Sequence, residues 1–445
     1  MQTTLAAQYQ HSPLALSAQD MVRQCVHCGF CTATCPTYQL LGDELDGPRG
    51  RIYLIRQVLQ GETPTRSTQE HLDRCLTCRS CETTCPSGVQ YGHLIDVGRA
   101  LVDDQVPRPW HERVLRGVLV HFLTSPLFAP AYRVGQWMRP WLPKPLQAKV
   151  SPWVSRQQHA ALERIVDSPL AGHPVLFLEG CVQPALCPNI NHSTRRVLSA
   201  LGLSVITPSD AGCCAALAQH LGHLERAQAQ IRRNIDAWWP HVQSGVKTLI
   251  SNASGCGVMV KDYGHVMRED ALYAEKARTI SELCKDLSEL LPTWVKLLKP
   301  QLRQEQVKAL GPMVFHPPCT LQHGQKINGV VERALKDLGF DITPPAHDAH
   351  LCCGSAGTYS VLEPVLSKAL QQRKLQHLMA QGPEQILSAN VGCIAHLQEK
   401  SPVPVRHWIE ALDTALTQSQ SQSQSQSQSQ SQSQAQSCLH QHSAT

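Results

Sequence analysis

The sequence predicts an α+β multidomain protein: a helical, cysteine-dense N-terminal domain followed by two duplicated α/β lobes with parallel sheets. Three observations carry this. Eight cysteines between Cys25 and Cys85 repeat one spacing twice. Three landmarks of the second half recur at intervals of 137 to 139 residues. Each recurrence alternates short apolar runs with helix-period segments, the pattern of βαβ units. A chain of 445 residues is long enough for about three domains. With 42% hydrophobic and 17% charged residues it can bury a core, which excludes wholesale disorder. The net charge of +5 is too mild to indicate nucleic acid. Apolar runs are broken by charge or proline well short of the roughly 18–20 residues a membrane span needs. The N-terminus has neither the cationic start nor the long apolar core of a secretory signal. Nineteen cysteines in such a chain point to metal or redox chemistry rather than disulfides.

The N-terminal domain, expected over 15–105, is built on CVHCGFCTATCP from Cys25 and CLTCRSCETTCP from Cys75. In the pattern C-x2-C-x2-C-x3-C-P, three thiolates wrap one side of an iron–sulfur cubane. The fourth, held before proline, ligates the other cluster. One [4Fe-4S] cluster is therefore expected on Cys25, Cys28, Cys31 and Cys85, and a second on Cys75, Cys78, Cys81 and Cys35. Zinc also accepts four thiolates, but its ribbons use separated C-x2-C pairs rather than four cysteines in eleven residues. His27 reads as a spacer or a donor to sulfur. The insert between the motifs predicts a helix from about Arg49 to Gln60, and Tyr91 to Asp104 predicts another. The domain is thus a helical ferredoxin type, not a β-hairpin one. Arg49 and Arg51 either offset the negative charge of thiolate-bound clusters or lie on a solvated helix face.

A connecting segment, 106–170, follows. Between Pro107 and Trp153 it carries Trp110, Trp137, Trp141 and Trp153. Its Arg108, Arg113, Arg116, Arg133, Arg139, Lys144 and Lys149 are opposed by Glu112 alone. Clustered basic residues attract anionic headgroups, and tryptophan favours the membrane interface. This segment is the candidate for peripheral membrane contact; the alternative is an interdomain helix packed on the core.

The lobes are expected over 171–300 and 301–416. VLFLEGC, ending at Cys181, matches MVFHPPC, ending at Cys319. Cys213-Cys214 matches Cys352-Cys353, and LISNASGC at Cys256 matches ILSANVGC at Cys393. Each copy reads strand, helix, "LG", strand, with Gly202 and Gly339 as C-terminal helix caps. The cysteines follow predicted strands, the edge where open α/β sheets bind ligands. The vicinal pairs make strained disulfides, and Gly212 and Gly354 beside them permit tight turns. Four cysteines per lobe leave a further cluster, metal-free thiols, and zinc or another ion all open. Cys187 and Cys284 have no partners in the repeat and read as ordinary buried thiols. An alternating Gln/Ser run from Gln418 to Gln434 has no apolar surface to bury, so 417–445, with Cys438, is expected to be a disordered tail.

No G-x-G-x-x-G follows a predicted strand and no P-loop sequence occurs, so nothing here accepts a hydride. The chain reads as a carrier of single electrons for chemistry on a partner.

The lobes resemble the cysteine-rich "CCG" domains of heterodisulfide reductase subunits and of flavin-linked 2-hydroxyacid dehydrogenases. From about Met21 to Leu416 the chain is similar to the iron–sulfur subunits of bacterial glycolate oxidase. CVHCGFCTATCPTY, DGPRGRIYLI, CLTCRSCETTCPSGV, EGCVQPALCPNIN, HPPCTLQHGQ, CCGSAGTYS and SANVGC carry the resemblance. It implies electrons taken from a subunit bearing FAD that oxidises glycolate, and passed towards a quinone or other membrane acceptor. It also implies a cytoplasmic protein, peripheral on the inner membrane. Rival readings are a D-lactate or glycerol-3-phosphate donor, a thiol/disulfide reductase acting in a lobe, and an iron–sulfur scaffold without turnover. Two departures stand out. Lobe one reads Cys213-Cys214-Ala215, without the glycine. Neither lobe closes with C-x2-C: Met259 and His396 stand where the last cysteine would be.

Overall fold

The computed structural model describes residues 1–144, 147, 150 and 161–422. Lys149, Trp153, Cys438 and the Gln/Ser run from 423 onward lie outside the described residues.

The N-terminal domain is helical. Helix Tyr91–Gln105 packs against Pro13–Gln24, Pro48–Leu59 and Arg66–Asp73. Ile52, Ile55, Leu59, Leu72, Leu94 and Ile95 form the core between them. The close approach depends on Gly98, since a Cβ there would stand 2.5 Å from Ile55 Cδ1. Ser12 caps the first helix by accepting from the Ala15 N–H, and Thr65 and Thr68 form a capping box on the third. The expected helices are thus present, the first shifted by one residue and the second one residue longer at its end.

Each lobe holds a four-stranded parallel sheet. In lobe one, β1 (Pro174–Leu178), β2 (Ser204–Ile206), β3 (Leu249–Ser251) and β4 (Cys284–Asp286) are ordered β2-β1-β3-β4. In lobe two, β5 (Met313–Phe315), β6 (Ile342–Thr343), β7 (Gln385–Ser388) and β8 (Val405–His407) are ordered β6-β5-β7-β8. The central strands are buried on both faces and so read as continuous apolar runs. In each sheet the strand order reverses between the first and third strands, which makes that point the switch where ligands bind. Gly202 (φ 89°) and Gly339 (φ 99°) close the helices Pro188–Ala200 and Val330–Asp337. The following N–H groups of Leu203 and Phe340 donate back to Leu198 and Leu335 at 3.0 Å, the Schellman pattern in both copies.

The two lobes share one core, with Trp294, Phe315 and Trp408 among its largest members. Arg196 of lobe one donates to Asp413 of lobe two at 2.8 Å. The terminal helix, over 408–422, runs into the Gln/Ser repeat. Gln418 to Ser421 are helical and Ser419 is buried, accepting from the Arg303 N–H at 2.9 Å. The expected tail therefore starts later than its composition suggests, because a small hydroxyl can be paired against a neighbouring backbone. The helical domain touches both lobes. Arg79 pairs with Asp262 at 2.5 Å, Thr83 with His323 at 2.9 Å, and Tyr359 Oη donates to the Arg74 carbonyl at 3.0 Å.

Candidate metal centres

Both cysteine motifs adopt one backbone. Helix Pro13–Gln24 delivers Cys25, and helix Arg66–Asp73 leads to Cys75. On either side of the second cysteine a residue is left-handed: His27 (φ 60°) and Gly29 (φ 83°) in the first copy, Thr77 (φ 52°) and Arg79 (φ 59°) in the second. Three of these four carry a Cβ, at a cost of roughly 1–2 kcal/mol each. The winding folds the loop back on itself, and the Thr77 N–H donates to Cys75 Sγ at 3.3 Å.

Cys25, Cys28, Cys31, Cys81 and Cys85 line one cavity. Cys35, Cys75, Cys78 and Cys81 line a second. Tyr91 and Pro48 border both. In the first set Cys28 is exposed and Cys31 and Cys85 are half-buried; in the second all four are buried. Burial and the neighbouring Cys25 push the Cys31 thiol up to about 11. Burial, then Cys319, raises Cys78 well above its ordinary value, and burial, then Cys78, does the same to Cys81. Cys31, Cys78 and Cys81 are thus hard to ionise unless a cation takes the charge, which is what iron in a thiolate-bound cluster does. The donor set fits [4Fe-4S] chemistry.

Arg51 is only 1% exposed and borders the second cavity, so it is no solvated helix face. Its Nε donates to the His71 carbonyl at 2.6 Å and both Nη atoms reach Thr37 Oγ1 at 3.2 Å. Asp46, equally buried, lies 3.5 Å from Arg51 and 2.9 Å from Arg74. Thr37 in turn lies 3.3 Å from Cys35 Sγ. A buried guanidinium needs compensation, and here one carboxylate and the thiol set supply it. Arg49, at the first cavity, is half-exposed and paired with Glu44 at 2.6 Å.

The lobe cysteines form a thiol row in each copy, at the C-terminal edge of the sheet. In lobe one Cys181, Cys213, Cys214 and Cys256 interact in series, and Cys181 and then Cys214 hold Cys213 below its ordinary value. In lobe two Cys319 Sγ lies 3.7 Å from Cys352 Sγ, and Cys353 links Cys352 to Cys393. The turn after each vicinal pair is left-handed, at Gly354 (φ 90°) and at Ala215 (φ 75°). Lobe one therefore keeps the turn without the glycine, and Gly212 is not the turning residue. Cys78 is buried in one group with Cys319 and Cys352, so the second ferredoxin-type site abuts the lobe-two row. Met259 and His396 are both buried. The imidazole that reaches the row is instead His316, clustered with Cys353 and Cys393. Sequence reading passed over it inside HPPC; the signal was a titratable residue ending an apolar strand where lobe one has Leu178. Cys284 is buried and pushed up to about 12 by that burial; Cys187, half-buried against the core, is pushed to about 12 likewise.

In the connecting segment, helices Trp110–Leu123 and Phe128–Trp137 meet at 101°. Trp110, Val114, Val118 and Phe122, spaced four apart, form an exposed apolar stripe, continued by Leu127, Val134, Trp137 and Trp141. Trp110, Trp137 and Trp141 are each at least 70% exposed. Not all the basic residues share this face. Arg108 and Arg116 turn inward to Asp73, at 2.6 and 2.8 Å. Arg113, Arg133 and Lys144 are exposed. Among the described residues no single helix is long and apolar enough to cross a membrane.

A family described as a 4Fe-4S dicluster domain matches residues 21–89, and one described as a cysteine-rich domain matches residues 175–261 and 313–398. The glycolate oxidase iron–sulfur subunit of Escherichia coli (strain K12) is 50% identical over 94% of this chain and 99% of its own. The probable glycolate oxidase iron–sulfur subunit of Bacillus subtilis (strain 168) is 28% identical over 84% of this chain and 88% of its own. Lactate utilization protein A of Bacillus licheniformis is 24% identical over 53% of this chain and 96% of its own.

Proposed function

This chain belongs to the family of glycolate oxidase iron–sulfur subunits, and on that premise we propose that it is the electron-transfer subunit of a complex that oxidises glycolate to glyoxylate. Its partners are subunits carrying FAD, where the hydroxyacid is oxidised, and its acceptor is the membrane quinone pool. Two [4Fe-4S] clusters are held here, one by Cys25, Cys28, Cys31 and Cys85 and one by Cys75, Cys78, Cys81 and Cys35. The observation that carries this reading is that the thiols line two cavities, the first taking Cys85 with Cys25, Cys28 and Cys31, the second taking Cys35 with Cys75 and Cys78, and Cys81 lining both. When bound, the clusters supply one-electron carriers.

The chain's own residues set the surroundings of those carriers. Arg51 places a fixed positive charge beside the second cavity, favouring the deprotonated thiols there. The Thr77 N–H holds Cys75 Sγ in place. Tyr91 Oη is buried between the cavities with no partner among the described residues, and burial, then Cys75, keeps the phenol protonated as a donor. The half-exposed first site suits exchange with a partner subunit; the enclosed second site is placed to communicate with lobe two. Cys181, Cys213, Cys214, Cys256, Cys319, Cys352, Cys353 and Cys393 are the lobes' thiol or metal donors.

The exposed apolar stripe, edged by Arg113, Arg133 and Lys144, is the contact with the cytoplasmic face of the inner membrane. Tryptophan at the headgroup level and basic residues towards anionic lipid match that surface. The function is tested by purifying the complex anaerobically with its partners and adding glycolate, D-lactate or glycerol 3-phosphate. Reduction of the clusters by glycolate is expected. Reduction by another donor alone, or a zinc-loaded, EPR-silent chain, overturns the reading.

A further inference from the structure

Lobe two contains a cluster of donors that lobe one does not. A ring nitrogen of His316 and the sulfurs of Cys353 and Cys393 all lie within 4.8 Å of one another, and all three residues are buried. Zinc–sulfur bonds of about 2.3 Å at tetrahedral angles put two thiolates roughly 3.8 Å apart. The three atoms therefore need to close only slightly around a single ion.

The hydrogen bonds around His316 orient it for this. The Ser388 hydroxyl donates to the His316 carbonyl at 3.1 Å, which uses its one proton. Its oxygen, 3.0 Å from Nδ1, then accepts from the ring N–H. That tautomer leaves Nε2 as a bare lone pair. Nε2 is buried and has no partner among the described residues. A ligating imidazole fixed through its other nitrogen is the usual arrangement at a metal. Asn390 Nδ2 donates to Cys393 Sγ at 3.5 Å, and the buried Lys374 ammonium stands near the thiol row, where positive charge favours thiolates. In lobe one the place of His316 is taken by Leu178, so Cys214 and Cys256 have no such nitrogen.

We propose that lobe two holds one transition-metal ion of the zinc class, ligated by His316 Nε2, Cys353 Sγ and Cys393 Sγ, and that lobe one holds none. Three protein ligands leave one coordination position open, the pattern of a reactive site and not of a closed structural one. The inference does not depend on the ligand assignment of the two ferredoxin-type clusters, and the same assay separates the two.

The test is metal and acid-labile sulfide analysis of the full chain made anaerobically. One metal equivalent is expected beyond about eight irons, with no extra sulfide. His316→Ala and Cys393→Ser should each lose that equivalent and keep the irons; Cys214→Ser should keep both. Absence of the additional metal, its retention in His316→Ala, or four further irons with matching sulfide overturns the proposal. Should either variant fail to fold, X-ray absorption at the edge of the additional metal in the unaltered chain decides. A shell with two sulfurs and a nitrogen supports the site, and an all-sulfur shell overturns it.

Discussion

Thr34 Oγ1 and Thr84 Oγ1 lie 3.2 Å apart although 50 residues separate them, and each holds the same place in its copy of the cysteine motif. Both also reach the Ser80 carbonyl, at 3.4 and 3.1 Å. The two copies therefore meet at equivalent positions. The next residue in each chain segment, Cys35 or Cys85, lines the cavity of the other copy.

Removing either crossing cysteine should therefore damage the centre belonging to the other motif. Cys85→Ser is expected to lose the half-exposed centre that Cys28→Ser also loses, and Cys35→Ser the enclosed centre that Cys78→Ser loses. Each variant should retain about four of eight irons. EPR of the dithionite-reduced proteins reads the pairing. If Cys85→Ser and Cys28→Ser leave different residual spectra, the crossed assignment is wrong.

Tyr91→Phe removes a buried hydroxyl that borders both cavities. A hydrogen bond to a cluster sulfur stabilises the more negative, reduced state. Its loss, at about 1 kcal/mol, should lower one cluster's potential by about 40 mV. Stability of the metal-free chain should stay within roughly 0.5 kcal/mol. Redox titration followed by EPR measures the shift; unmoved potentials would place the phenol away from the clusters.

Asp262 couples lobe one to the second motif. Burial opposes its charge, but His93 and Arg79 overcome this and hold the carboxyl well below the usual range. A depressed folded-state value contributes stability that is complete above the unfolded value near 3.9 and is lost as the pH falls further. Asp262→Asn should cost roughly 2–3 kcal/mol at pH 7, since it strands Arg79 half-buried. The difference should persist to about pH 4.5 and shrink only in stronger acid. Urea melts across that range check it; a difference that vanishes by pH 6 would sink the account.

Replacing Arg113, Arg133 and Lys144 with glutamine should weaken binding to anionic vesicles by about 3 kcal/mol, at roughly 1 kcal/mol per basic residue. That is about two orders of magnitude, and it should fall with added salt. Trp137→Ala should weaken binding at all salt concentrations. Arg108→Gln is different in kind: it breaks the pairing with Asp73 and should destabilise the fold. Vesicle co-sedimentation separates these outcomes.

Much of this was written locally and could be read that way. The spacing of Cys25 to Cys35 and of Cys75 to Cys85 specifies thiolate sets, because a turn of backbone brings such close neighbours together whatever the rest of the chain does. The lobes' strands and their LG caps were legible for the same reason: sheet burial and helix termination leave short-range patterns at β1 and Gly202 alike. What stayed hidden depended on contacts across long separations. Arg79 occupies a left-handed position that glycine fills in the other copy, so equal backbone hid behind unequal residues. Whether Arg51 offset cluster charge or lay on a solvated helix face stayed open until His71, Thr37 and Asp46 closed on it.

The sequence alone therefore determined the two repeated cysteine motifs, the duplicated lobes and their family. Only the tertiary structure decided that Cys78 meets Cys319 and Cys352, and that His316 faces Cys353 and Cys393. Those side chains lie on different strands and loops, and their approach follows from how whole domains bury their apolar faces. No pattern within one segment records that.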